Sequence, residues 1–301
     1  MALTNIDPIV LGHNSFFGVN HLSRQQGDKR SEQFEETKAI IDMIEFALDQ
    51  GVSAMMMSTH PRANKIAEIV LAEKSLKDRL HFYPLLPYIA KYVRQSNEKG
   101  LVNVVLDQVK GAGLGQKLKI FARGSMGVLR KDSFAILKTM IDLELAPFRG
   151  LNMKAIFLHD VLTDLALALD MPEIITFYIQ EIRKSFDAEP AFATKNLPLL
   201  VERFKTYGVE KPLVLSHVNN IGFQMNPSQS ACEELLMDGD IQVMAMGTLA
   251  SGYLKPKDAF PYVGQFPRVE SSVVGVSTKE HAIETFEAIR ASQQNSTREQ
   301  Q

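Results

Sequence analysis

The sequence has a single cysteine, Cys232, so an internal disulfide is excluded and a reducing compartment is expected. Neither sign of charge is in excess, because the formal net charge is only -2, and this disfavours nucleic acid and anionic membranes as partners. Apolar runs stay below the roughly 18 residues that cross a bilayer, and the first residues lack the features of a signal peptide. These absences predict a cytoplasmic protein whose partner is a small molecule.

The sequence also lacks a GxGxxG motif after its first apolar run, which weakens the case for a Rossmann fold. Short apolar runs instead alternate with longer segments of helical period along the whole chain, without a linker. Continuous apolar runs are typical of parallel strands that are covered on both faces. The pattern predicts a single-domain (β/α)8 barrel over residues 1–291, followed by a polar, disordered tail over residues 292–301.

The strand candidates number nine, one more than such a barrel needs. They are residues 8–14, 52–58, 80–88, 117–124, 154–160, 190–196, 212–219, 241–247 and 271–277. We therefore predict an extra strand, which is either the N-terminal one or one inserted at 80–88 or 117–124. The methionines at 55–57 are expected to fill core volume as part of a buried strand.

Histidines gather at the ends of these runs, where a barrel of this kind carries its function. His13 ends the first run, His60 follows the second, His159 and Asp160 end the run at 154–160, and His217 lies near the end of 212–219. Imidazole is both a common acid–base group near neutral pH and a common zinc ligand. The histidines therefore predict either an acid–base site or a divalent metal site with His13, His60, His159 and His217 as ligands.

A lysine, Lys195, ends the run at 190–196 and completes the candidate catalytic set with His159, His60 and Asp160. A lysine at this position could form a Schiff base or bind an anionic group of the substrate. Asparagines on the same rim, Asn196 among them, suit a small polar substrate.

Two segments near the C-terminus have the features of an anion site. GTLASG (247–252) follows a strand with small residues that leave backbone amides open, and GVSTKEH (275–281) leads straight into a helix. Ser277 and Glu280 match the S-x-x-E capping box, so we predict a helix N-terminus that faces the barrel mouth. Such a terminus binds phosphate well, so a phosphorylated substrate or cofactor is expected.

These segments, VMAMGTLASGYLKP and SSVVGVSTKEHAIETFEAI, resemble the last third of the aldo-keto reductase superfamily, and KAIFLHD resembles its strand that ends in the catalytic histidine. The resemblance implies a barrel oxidoreductase that uses NADPH or NADH. It makes His159 the counterpart of the catalytic histidine and Asn196 the counterpart of the asparagine that holds the nicotinamide amide. The further cofactor-binding residues that it implies are Thr248, Leu249, Ser251 and Gly252 at the pyrophosphate, and Gly275, Ser277, Thr278, His281 and Thr285 around the adenosine.

The second apolar run departs from the family pattern. The family has an aspartate there, soon followed by the tyrosine that gives a proton to the carbonyl, whereas this chain has MMMSTHP. The family's lysine has no clear counterpart unless Arg123 replaces it, and Thr278 stands where an arginine for the 2′-phosphate is frequent. The sequence therefore predicts a divergent member in which His159 or His60 donates the proton.

Three functions remain open at this point. The first is a nicotinamide-dependent oxidoreductase that acts on a small polar carbonyl compound. The second is a hydrolase, isomerase or lyase that uses the histidine-rich face with a divalent metal such as zinc or by acid–base chemistry. The third is a non-catalytic binding protein. The sequence also leaves open whether the chain forms a homo-oligomer.

Overall fold

The structure is a computed structural model that describes residues 5–17, 34, 36–87 and 133–299. The predicted strand at 117–124 and Arg123 lie outside the described residues. In the part of the chain that is described, no helix is long and apolar enough to span a membrane.

Eight parallel strands form a closed ring in the order β1-β2-β3-β5-β6-β7-β8-β9, in which β9 pairs with β1. The strand bounds are β1 Ile9–Gly12, β2 Ala54–Ser58, β3 His81–Leu86, β4 Asn152–Met153, β5 Ala155–Leu158, β6 Glu189–Ala193, β7 Leu213–His217, β8 Gln242–Met246 and β9 Val269–Val274. The predicted (β/α)8 barrel is therefore confirmed.

Eight of the nine predicted runs form the ring, and the ninth, at 117–124, lies outside the described residues; the structure adds an inserted strand, β4, that the sequence did not suggest. The two-residue β4 pairs with the beginning of β3 through His81 and Phe82, outside the ring. The N-terminal run and the run at 80–88 both belong to the ring, as β1 and β3. A two-residue strand has no run of apolar residues long enough to be recognised, which is why the sequence pattern missed it.

Helices cover the outside of the ring. Their bounds are α1 Thr37–Asp49, α2 Pro61–Ala72, α3 Lys74–Lys77, α4 Ser133–Leu145, α5 Asp160–Ala168, α6 Pro172–Ser185, α7 Leu197–Tyr207, α8 Gln229–Asp238, α9 Pro256–Val263 and α10 Lys279–Glu299. Helix α10 continues to Glu299, into the segment that the sequence predicts to be a polar tail, and the boundary at residue 291 stays a prediction. Cys232 is buried on α8, where burial raises the pKa of its thiol to about 11.

Successive residues of each strand pack into two different cores, as expected when side chains alternate across a strand. In β2, Met56 faces the barrel interior together with Tyr83 and Phe157. Met55 and Met57 face the layer between the barrel and the helices. All three methionines are buried, and each contributes roughly 1.5–3 kcal/mol of hydrophobic stabilisation. The prediction of a methionine-filled strand is confirmed.

Several helices begin at the barrel rim with a polar side chain that caps the first turn. His60 Nδ1 accepts a hydrogen bond from the amide of Arg62 at 3.1 Å, and Asn196 Oδ1 accepts one from the amide of Leu199 at 3.2 Å. A cap satisfies backbone groups that the helix itself leaves unpaired. The same strand-end residues therefore start the helices and lie at the mouth of the barrel.

Candidate active site

The candidate residues from the sequence lie at the carboxyl ends of the ring strands. His13 follows β1, His60 lies two positions after β2, His159 follows β5 and His217 ends β7. Lys195 lies two positions after β6. In barrels of this architecture the carboxyl ends of the strands carry the active site, so this face is the candidate site.

A chain of contacts on this face connects three of the four predicted catalytic residues. Nδ1 of His159 lies 2.5 Å from Oδ1 of Asp160, and Nζ of Lys195 lies 3.6 Å from Oδ2 of the same carboxylate. The histidine and the aspartate are mostly buried, whereas the lysine side chain is half-exposed. One carboxylate therefore bridges an imidazole and an ammonium group.

The geometry places a proton on Nδ1 of His159. The amide of Val161 lies 3.3 Å from Nδ1, so Nδ1 could accept from it, but Asp160 lies at only 2.5 Å and a carboxylate can only accept. The same amide reaches Oδ1 of Asp160 at 3.0 Å, so it has a better acceptor there. Nδ1–H therefore donates to Asp160, and Nε2 is the ring nitrogen available for chemistry.

Asp160 stays ionised at neutral pH. Burial alone would raise its pKa, but the hydrogen bond from His159 and the positive charges of His159 and Lys195 lower the pKa to about 2. A permanently charged carboxylate against Nδ1 fixes the orientation and the tautomer of the imidazole.

Two residues that the sequence did not single out support this arrangement. Asp164, one turn after Asp160 on α5, accepts hydrogen bonds from the hydroxyl of Thr194 at 2.5 Å and from the amide of Lys195 at 3.0 Å. Burial raises the pKa of Asp164, and the charge of Asp160 adds to the rise. Residues four apart share a helix face, so the spacing from Asp160 is a signal that could have identified Asp164.

His60 and His13 lie on the neighbouring part of the rim with Phe17 between them. The ring of Phe17 stacks on His60 with a centroid distance of 4.7 Å and tilts against His13 at 5.3 Å. Burial, together with the nearby charges of His60 and His159, lowers the pKa of His13 to about 4, although a hydrogen bond to the carbonyl of Met56 opposes this. His13 is therefore neutral at neutral pH.

The end of β2 has a second feature that the sequence did not predict. The hydroxyl of Thr59 donates a hydrogen bond to Oε2 of Glu144, and both side chains are buried. Glu144 belongs to α4, so this contact fixes the strand end just before His60. No sequence signal connects two residues that are 85 positions apart.

The predicted metal site with His13, His60, His159 and His217 as ligands is not formed. No group of three or more His, Cys, Asp and Glu side chains in the described ranges is arranged to hold a metal ion. The Nδ1 atoms of His60 and His159 are engaged with Arg62 and Asp160. The ring of His217 packs against Gly247, where an added Cβ would lie 2.5 Å from the imidazole Cδ2.

The predicted anion segments follow β8 and β9, two adjacent strands of the ring. The loop at 247–252 contains non-glycine residues at positive φ, Ala250 and Ser251, and Gly252 at its end has open space where a Cβ would be. The amides of Ala250 and Gly252 bind the carbonyls of Gly247 and Leu249, so the prediction of open amides is wrong for these two.

The cap of α10 also differs from the prediction by one residue. Oγ1 of Thr278 accepts from the amide of His281 at 3.2 Å, which makes Thr278, rather than Ser277, the N-cap residue. Gly275 lies so close to Ser15 that a Cβ would be 2.6 Å from its hydroxyl oxygen. Thr285 is buried and donates to the carbonyl of His281, and its implied place beside an adenosine stays a prediction.

The other residues implied as cofactor ligands differ in accessibility. Thr248 is buried, Leu249, Ser251, Ser277 and His281 are partly exposed, and Gly252 and Thr278 are exposed. The two segments can therefore present backbone and partly exposed side chains at the mouth of the barrel.

No protein-family model and no curated protein matches the chain. Its fold is similar to that of a solved Pseudomonas aeruginosa protein provisionally named as an aldo-keto reductase, with a TM-score of 0.58, 11% identity, and coverage of 95% of this chain and 91% of that one. A second structure with the same provisional name and organism gives a TM-score of 0.56, 13% identity, and coverage of 94% and 90%. At these identities the likeness shows the fold alone, and that fold agrees with the predicted (β/α)8 barrel.

Proposed function

We propose that this chain is a nicotinamide-dependent oxidoreductase that transfers a hydride between NADPH or NADH and a small polar carbonyl compound, with His159 as the proton donor. The observation that carries the proposal is the contact chain from His159 through Asp160 to Lys195 at the functional end of the barrel. The shared fold and the resemblance of the two C-terminal segments support the same reaction class.

Nε2 of His159 can serve the reaction in both directions. In reduction, the carbonyl carbon accepts a hydride, the π electrons move to the oxygen, and the oxygen takes the proton from the imidazolium Nε2–H. In oxidation, the neutral ring with its proton on Nδ1 takes the alcohol proton at Nε2. A positioned donor of this kind contributes roughly 100-fold to 10,000-fold in rate.

The residues present fit an anionic dinucleotide in two respects. The N-terminus of α10 carries partial positive charge beside Thr278, and Gly252 leaves open space at the end of the small-residue loop. When bound, the cofactor supplies the hydride. Asn196 would orient the nicotinamide through its amide nitrogen, since its Oδ1 accepts from Leu199.

Lys195 and His60 have secondary roles in the proposal. The ion pair with Asp160 supports anion binding by Lys195, for example to a phosphate or carboxylate of the substrate, over Schiff-base chemistry. His60 is the second candidate for the proton donor, because it stands where the resembled family has its tyrosine. Its Nδ1 accepts from Arg62, so its proton lies on Nε2.

Nucleotide binding tests the proposal directly. The chain has no tryptophan, so the emission of reduced nicotinamide can be titrated without that background. We expect NADPH or NADH to bind with a dissociation constant of about 1 mM or below, in the range of ordinary substrates. Gly252→Asp should weaken binding at least about tenfold through charge repulsion with the phosphates, and the isosteric Gly252→Asn is the matched neutral control.

Turnover identifies the donor. Oxidation of the reduced nucleotide is followed with a panel of small polar aldehydes and ketones, first with the unsubstituted protein and then with His159→Gln and His60→Gln. We expect the larger loss of turnover with His159→Gln. Absence of binding by either nucleotide would rule out the reaction, and a larger loss with His60→Gln would move the donor to the end of β2.

A further inference from the structure

The end of β6 is held by a hydrogen-bonded cluster that we call the Asp164 clamp, formed by Asp164, Thr194 and the backbone of Lys195 and Asn196. The two oxygens of Asp164 accept from the Thr194 hydroxyl and from the Lys195 amide, at 2.5 Å and 3.0 Å. The Thr194 hydroxyl oxygen in turn accepts from the Asn196 amide at 2.9 Å. Three consecutive residues are thus fixed by one carboxylate on the adjacent helix.

A carboxylate at this position has an unfavourable electrostatic free energy. It is partly buried and lies one helical turn from the ionised Asp160, and both burial and that like charge raise the pKa of Asp164. Neutral donors and acceptors would hold the turn without this electrostatic cost. Only a carboxylate has two oxygens that can accept hydrogen bonds, one from the Thr194 hydroxyl and one from the Lys195 amide, and also carries a charge that attracts the lysine.

We propose that Asp164 is a positioning residue, which holds the Lys195 backbone so that the ammonium group of Lys195 contacts Asp160. Through this ion pair, Asp164 sets how strongly the negative charge of Asp160 acts on His159. The ammonium lies 3.6 Å from Oδ2, and His159 lies 2.5 Å from Oδ1 of the same group. The lysine partly neutralises the carboxylate. The attraction between Asp160 and the imidazole is therefore weaker than it would be without the lysine. The use of this geometry for proton transfer rests on the proposed function, whereas the geometry itself does not.

The proton on Nδ1 of His159 reports on this arrangement without any turnover. A proton held between an imidazole and a carboxylate at this distance gives a far-downfield proton resonance in NMR spectra, and its loss in His159→Gln assigns it. Lys195→Met should move the resonance further downfield, because Asp160 then directs its full charge at His159. Asp164→Asn and Thr194→Val should move it in the same direction, and Thr194→Ser, which keeps the hydroxyl, should restore the original position.

The outcomes separate a positioning role from a structural one. If Asp164→Asn and Thr194→Val lower the melting temperature but leave the resonance in place, Asp164 only stabilises the turn and the proposal fails. It also fails if Lys195→Met leaves the resonance unmoved. Should Asp164→Asn not fold, the Thr194→Val and Thr194→Ser pair decides alone. A resonance that responds as expected in a protein that binds no nicotinamide nucleotide would support the clamp and reject the proposed function.

Discussion

The barrel has a histidine–aspartate pair at each end, and the two pairs are matched in exposure but differ in surroundings. At the rim, Nδ1 of His159 lies 2.5 Å from Asp160, and at the opposite end Nδ1 of His81 lies 2.8 Å from Asp7. In both pairs the histidine side chain is 25% exposed and the aspartate 12%. Burial and pairing alone therefore do not distinguish a working pair from a structural one.

The surroundings of Asp7 are those of a cross-link between strands. Its Oδ2 accepts from the hydroxyl of Tyr83 at 2.7 Å, and its backbone carbonyl accepts from the hydroxyl of Ser271 at 2.6 Å. Burial raises the pKa of Tyr83 far above its usual range, and the hydrogen bond to Asp7 adds to this. Asp7 thus connects β3 and β9 through neutral donors, whereas Asp160 shares its charge with a half-exposed lysine at the barrel mouth.

The largest difference between the two ends should be in catalysis. We expect His159→Gln to lower kcat/KM for a carbonyl substrate by about 100-fold to 10,000-fold, because the variant lacks a group that can donate a proton at Nε2. Steady-state oxidation of the reduced nucleotide measures it. His81→Gln is the matched control and should leave kcat/KM within a factor of about 3, so an equal loss in both variants would contradict the division of roles.

Stability should show the opposite order. Asp7→Ala leaves Tyr83 and His81 without their common acceptor, so we expect a loss of about 2–3 kcal/mol in the free energy of unfolding. Urea denaturation at neutral pH measures this loss. Asp160→Ala, at the more open end, should cost less than Asp7→Ala. The opposite ranking would show that the rim pair is the main structural one.

The sequence could predict the barrel fold and the face on which the candidate residues lie, because both depend only on the order of the strands. Parallel strands end at one edge, so the strand runs at 154–160 and 190–196 predict that His159, Asp160 and Lys195 lie on one face. The fold followed from the same alternation of runs. Neither conclusion required knowledge of how side chains orient.

The residues that the sequence did not reveal depend on orientation and packing. Glu144 reaches Thr59 only because α4 packs with that face towards β2, and helical periodicity does not identify a distant partner. Orientation also explains why the described histidines form no group arranged for a metal ion, since His217 ends the correct strand but its ring packs against Gly247. The one-residue shift of the α10 cap to Thr278 reflects the choice between two adjacent hydroxyl groups.

The smallest expected effect concerns the acid stability of the rim pair. The pKa of Asp160 is lowered from 3.8 to about 2, so the stabilisation it gives is present above about pH 4 and is lost as the pH falls towards 2. Urea unfolding from neutral pH down to about pH 2 measures this loss. At neutral pH, Asp160→Asn should be less stable than the unsubstituted protein by on the order of 1–2 kcal/mol, after allowance for solvent screening. This difference in the free energy of unfolding should become smaller as the pH falls. Asp240→Asn, at an exposed ion pair with Lys211, is the control and should show almost no gap at any pH. A gap for Asp160→Asn that stays constant into acid would mean that the charge of Asp160 does not stabilise the fold, and that His159 and Lys195 are paired with it for function alone.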